Sequence, residues 1–106
     1  MENENVLICV IVNKGYTDLV MEAAKNTGAT GGTIFNGRGT GNINLEKFYG
    51  IEVKPEKEIV FIVTKQEIKE KMLKEIYKDA GLETRGQGIA FSLPVDDLII
   101  GKSSKK

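Results

Sequence analysis

Val6 to Val12 is an unbroken apolar run rich in β-branched residues, closed by Asn13-Lys14-Gly15, and it predicts a strand covered on both faces. A helical stretch follows. Thr17 is placed as N-cap, Asp18 suits the first turn, and Gly28 is the stop, with Leu19, Val20, Ala23 and Ala24 on one side. Thr33-Ile-Phe35 predicts a second strand that runs into a glycine-rich loop, and Glu58 to Val63 a third. Thr64-Lys-Gln-Glu67 has the spacing of a capping box. The helix it would open, Lys65 to Ala80, carries Ile68, Met72, Ile76 and Ala80 at steps of four, with Leu73 and Tyr77 widening the stripe and Gly81 as its stop. Gly88 to Leu93 reads as the fourth strand, closed by Pro94. Val95 to Ile100 is a short apolar tail before the polar end 101–106.

The order is therefore β-α-β-β-α-β, and its halves repeat: Ile59 follows Val6, and Gly81 follows Gly28, by 53 residues. Right-handed crossovers then predict an α+β, ferredoxin-like split sandwich, a four-stranded antiparallel sheet with two helices on one face. The other face is left bare. Because both sides of the first strand are apolar, that bare face predicts self-association.

With 106 residues, 41% of them apolar and 28% charged, the chain suits one domain, its core about 6–100. Fifteen basic residues balance fifteen acidic ones, so no overall positive field draws the protein to nucleic acid or to an anionic membrane. Anion recognition must be local. The single cysteine, Cys9, lies in an apolar run and fits a reducing cytoplasm. Neither an export signal nor a spanning segment is expected.

Local anion chemistry has two candidate places. Gly28 to Gly41 crowds glycines around Arg38, and no acid occurs from Ala23 to Leu45. Arg85-Gly-Gln-Gly88 lies in a second acid-free run, Thr84 to Val95. Glycines let the backbone approach a ligand, successive N–H groups suit phosphate oxygens, and the guanidinium groups of Arg38 and Arg85 suit bidentate contact. Glycines also serve as plain turn formers, and a lone Gly-x-Gly is a weak signal.

With these pieces in order, the chain resembles the PII signal-transduction family, the trimeric nitrogen-regulatory proteins. The resemblance rests on Thr33 followed by Gly39-Thr40-Gly41, on Pro55 just before the third strand, and on Gly86-Gln87-Gly88 ahead of Phe91-Ser-Leu-Pro-Val-Asp-Asp97. It implies a cytoplasmic homotrimer with an adenine nucleotide (ATP, ADP or AMP, with Mg²⁺ where the nucleotide brings it) in each cleft between subunits. A loop, here 42–57, would touch a target protein: a transporter, an enzyme or a regulator. Thr33 would meet the adenine, Gly39 and Gly41 would admit the nucleotide to the backbone, and Gly86 and Gly88 would cradle phosphates. Thr40 and Gln87 lie inside the two glycine elements.

This chain departs from the family pattern in ways that matter chemically. Ile89 stands where relatives place a phosphate-binding lysine, and Ile100 and Lys102 stand for a pair of arginines, leaving Lys102 as the one cation there. Glu56 replaces the lysine that engages 2-oxoglutarate, and an acid there repels a dicarboxylate. The loop is also shorter than usual. Tyr49 keeps the spacing of a tyrosine that some relatives modify, but in the shortened loop Phe48 and Tyr49 better suit anchoring the loop or an aromatic contact to a partner. Ile43, Leu45, Phe48 and Ile51 fit either a partner-binding element or a short helix, 44–49, packed on its own domain.

Other function classes fit less well. With no histidine, acid–base catalysis would fall to carboxylates alone, of which Asp96 and Asp97 are the notable pair, so the chain is read as non-catalytic. A ferredoxin-like module for a metal, RNA or another small effector is the alternative. It would show Phe61 and Phe91 on an open sheet face, but without a basic surface or paired Cys and His.

Overall fold

The computed structural model describes residues 4–39, 56–80 and 88–100. Strand β1 is Asn5–Asn13, helix α1 Thr17–Asn26, β2 Thr33–Arg38, β3 Glu56–Lys65, helix α2 Lys69–Asp79 and β4 Ile89–Pro94, with a 3-10 turn Gln66–Ile68 ahead of α2. All three strand pairings are antiparallel, in the order β2-β3-β1-β4. This is the ferredoxin-like split βαββαβ sheet. The central strands are the two longest β-branched runs, as expected of strands that need partners on both sides.

Alternation assigns the faces. Val6, Ile8, Val10 and Val12 of β1 and Val60 and Ile62 of β3 are buried under Val20, Ala23 and Ala24 of α1 and Met72, Ile76 and Ala80 of α2. Both helices therefore lie on one side. On the other side Thr33, Phe61, Cys9 and Phe91 form a row across the sheet, beside a second row of Phe35, Ile59, Ile11 and Ile89. No described element covers these rows. Phe61 and Phe91 remain 37% and 39% exposed, and Phe35 meets Phe61 edge to face at 4.9 Å. Cys9, buried between neighbours in its row, has its thiol pushed up by desolvation and is poorly reactive.

Several local expectations yield to tertiary contacts. Thr17 does not cap α1; Tyr16 holds that position, and the buried Thr17 hydroxyl donates instead to Glu58 Oε1 at 3.2 Å. The capping box fails as well. Thr64 and Lys65 are still paired to Val6 and Asn5 in the sheet, so the chain turns through Gln66–Ile68 and α2 starts at Lys69. Leu19 is 42% exposed rather than packed, and Tyr77 widens the α2 stripe only at its margin. Gly28, at φ +122°, does follow α1 as its stop, and the Thr27 hydroxyl donates to the Ala24 carbonyl at 2.9 Å. Gly81 lies outside the described residues. No helix among the described residues is long and apolar enough to cross a membrane.

Candidate functional site

Strand β2 carries the first half of the candidate site along the free edge of the sheet. It runs to Arg38, three residues past the expected Thr33-Ile-Phe35, because Asn36, Gly37 and Arg38 find partners in Glu58, Lys57 and Glu56 at the start of β3. Arg38 is thereby held on a strand, and Glu56 and Lys57, expected in the loop, are strand residues. Thr33 and Arg38 are five steps apart, about 17 Å at the usual rise. They line separate hollows.

Thr33 stands in a cleft of about 700 Å³ whose walls include Thr30, Gly31, Gly32, Phe61, Lys65 and Leu98. Gly32 lets the chain enter β2 close to its neighbours. A Cβ there would lie 3.0 Å from Met21 Sδ and 3.1 Å from the Phe61 carbonyl oxygen. The cleft is mainly apolar and suits a flat ring with polar edges.

Arg38 borders a second hollow of about 380 Å³, with Lys14, Asn36, Gly37, Glu56 and Lys57. Alternation sets Arg38 and Glu56 on the helix side of the sheet and Lys57 on the open face, so the hollow wraps the end of the sheet. Hydrogen bonds fix the surroundings. Lys57 Nζ donates to Asn13 Oδ1 at 2.6 Å, the Lys14 N–H to the Glu56 carbonyl at 3.3 Å, and the Gly15 N–H to Glu58 Oε1 at 3.0 Å. The turn after β1 is thus tied to the first residues of β3. Arg38 has no ion-pair partner among the described residues. Gly39 packs under the stem of Lys57, where a Cβ would come within 3.1 Å of Lys57 Cε.

Gly88 belongs to the other edge. It precedes β4 and lines a groove of about 680 Å³ with Leu73, Lys74, Tyr77, Lys78, Ile89 and Ala90. A Cβ at this position would collide with the Ile11 carbonyl oxygen, so packing alone already requires glycine. Register places Ile89 beside Ile11 and Lys57 beside Asn13, and Gly88 therefore emerges at the same end of the sheet as Arg38 and Gly39. Two strands separate the edges, a gap of about 14 Å. Within one chain Gly39 and Gly88, the described glycines nearest each element's ligand side, therefore stand on opposite edges of the sheet. Thr40, Gly41, Arg85, Gly86, Gln87, Lys102 and Tyr49 lie outside the described residues.

Lys14 and Lys57 were invisible as site residues in the sequence, since acids at 56 and 58 flank Lys57 and 43 positions separate the two. Only the β1–β3 register unites them. Among the described residues no cluster of His, Cys, Asp and Glu is arranged to hold a metal.

Comparison with known proteins gives this arrangement a family. Residues 6–105 match the model of the family described as Nitrogen regulatory protein P-II. The chain belongs to the PII family. Among solved structures, Arabidopsis thaliana PII bound to citrate superposes with a TM-score of 0.70 at 24% identity, covering 93% of this chain and 82% of that one. A PII-like signaling protein from Thermus thermophilus gives 0.64 at 18% identity, covering 86% of each chain. A search of curated proteins finds no match. PII proteins are signal-transduction proteins, in general non-catalytic trimers that bind adenine nucleotides and act on target proteins.

Proposed function

We propose that this PII protein is a non-catalytic cytoplasmic regulator that binds an adenine nucleotide between the subunits of a homotrimer. Through the loop 42–57 it controls a target protein in nitrogen or related metabolism. The observation that carries the reading is the division of the site over two edges of one sheet. One edge offers a ring-sized cleft at Thr33 and, about 17 Å along the strand, the cationic hollow at Arg38; the other offers Gly88 at that same end. A nucleotide would lay its base at Thr33 and its phosphates toward Arg38 and Gly39. The glycine element 86–88 of a neighbouring copy would close over them. Arg85, Thr40, Gly41, Gln87 and Lys102 are the further contacts expected in such a cleft. Coupling to a target then requires only that the nucleotide favour one state of the protein over another.

Isothermal titration with ATP, ADP and AMP tests this reading. Saturable binding, one site per subunit, is expected for at least one of them, and Arg38→Ala is expected to weaken it about tenfold through the lost charge-assisted contact. Absence of heat at millimolar nucleotide would remove the regulator's input.

A further inference from the structure

The helix-side positions of β4 are small. Register sets Ala90 opposite Val10 and Ser92 opposite Ile8, on the face where β1 and β3 carry the large core residues Ile8, Val10, Val60 and Ile62. Gly88, one step earlier, has no room for a side chain against the Ile11 carbonyl oxygen. The strand therefore supplies little bulk beneath the near margin of α2, and the groove of about 680 Å³ between the two is the result. Its helix wall is Leu73, which packs on the core, and Tyr77, which is half exposed. Lys74 and Lys78, each one position further round the helix, form the outer rim.

Charge is divided unevenly around α2. Glu75 and Asp79 fall on the side opposite Leu73 and Tyr77, where a hydrogen bond between them and their mutual repulsion hold the Glu75 carboxyl above its ordinary range. Glu70 falls on the groove's side, but about 12 Å along the axis from Lys78. The rim is thus basic at the end next to Gly88.

We propose that this groove binds an apolar monocarboxylate, with its hydrocarbon body against Leu73, Tyr77 and Ala90 and its carboxylate between the ammonium groups of Lys74 and Lys78. Its dimensions select a compact body. Leu73 to Tyr77 rise about 6 Å along the helix and Gly88 to Ala90 about 7 Å along the strand, which matches a fused pair of rings rather than a long chain. A phosphate dianion is a poor fit, because over an apolar floor it gives up more hydration than two exposed ammonium groups return. The site needs no nucleotide and goes beyond the regulator reading, sharing only Gly88 with it.

The test uses 1-naphthylacetate and its uncharged counterpart 1-naphthylacetamide, titrated into the full chain with labelled Leu and Ala methyl groups. Shifts at Leu73 and Ala90 should saturate with Kd about 1 mM for the acid and about fivefold weaker for the amide. Lys74→Gln combined with Lys78→Gln should lower the acid to the affinity of the amide and leave the amide unchanged. Both lysines are exposed, so the double variant should fold as the parent does. Tyr77→Ala should weaken both ligands about threefold, by removing one wall. Equal affinity for acid and amide, or a double lysine variant that binds the acid as well as the parent, would overturn the carboxylate contact. Shifts at Leu98, in the cleft at Thr33, with none at Leu73 and Ala90 would overturn the site itself, as would no saturable shift at all.

Discussion

Gly88→Ala is expected to cost about 3 kcal/mol of stability, at the upper end of what overpacking exacts. The added methyl would run into the Ile11 carbonyl oxygen and sit 2.8 Å from Val12 Cγ1. The first of these is backbone in a central strand that is paired on both sides, so β4 must withdraw. Gly39→Ala makes the control. Its methyl would meet the stem of Lys57, a flexible side chain that can step aside, and should cost a few tenths of a kcal/mol, within the range of tolerated surface changes. Thermal unfolding at matched protein concentration reads the difference. Gly88→Ala should melt roughly 12–18 °C lower than the parent and Gly39→Ala within a few degrees of it. Similar melting of the two would mean that β4 does not pack on β1 as described. The comparison also bears on function, because a glycine demanded by packing is weak evidence for a ligand at the same position.

The second large effect concerns assembly. Phe61→Asp combined with Phe91→Asp is expected to give folded monomers where the parent sediments as the proposed trimer, as read by sedimentation velocity. Both rings stand in one row on the open face, flanking Cys9, and both are more than a third exposed in the single chain. Covering that face with neighbouring subunits would bury them, and carboxylates placed there would lose several kcal/mol of hydration each. The substitutions leave the helix-side core of Ile8, Val10, Val60 and Ile62 untouched, so the monomer should still unfold cooperatively. A double variant that sediments with the parent would place the subunit contact elsewhere.

Sequence pattern carried the frame of this protein further than its details. β1 and β3 were legible because β-branched runs of strand length state their own conformation, and Gly15 and Gly28 marked real turns, each at positive φ. Thr17 and Thr64 misled for one shared reason. A cap is a local signal, and each threonine had a stronger distant partner, Glu58 for one and β1 for the other. The extension of β2 to Arg38 depended on Glu56 and Lys57 arriving opposite it from far along the chain. The site shows the same division. Arg38 and Gly39 stood out because no acid surrounds them, whereas Lys57, flanked by Glu56 and Glu58, looked electrically neutral until the sheet set Lys14 and Arg38 beside its hollow. That Thr33 and Arg38 line different hollows could not be read from residue types, since it follows from β2 extending to Arg38, which sets the two five residues apart and on opposite faces.

The central proposal, a nucleotide site shared between two chains, is tested most directly by mixing defective subunits. Arg38→Ala damages the β2 half and Arg85→Ala the half supplied by a neighbour, and each protein alone should bind ATP poorly. Unfolded together and refolded as mixed trimers, they should recover parent-like affinity at roughly one cleft in four, the fraction in which two intact halves meet at random. A mixture that binds no better than its components would show that both halves lie within one chain, contradicting the separation of the two edges of the sheet.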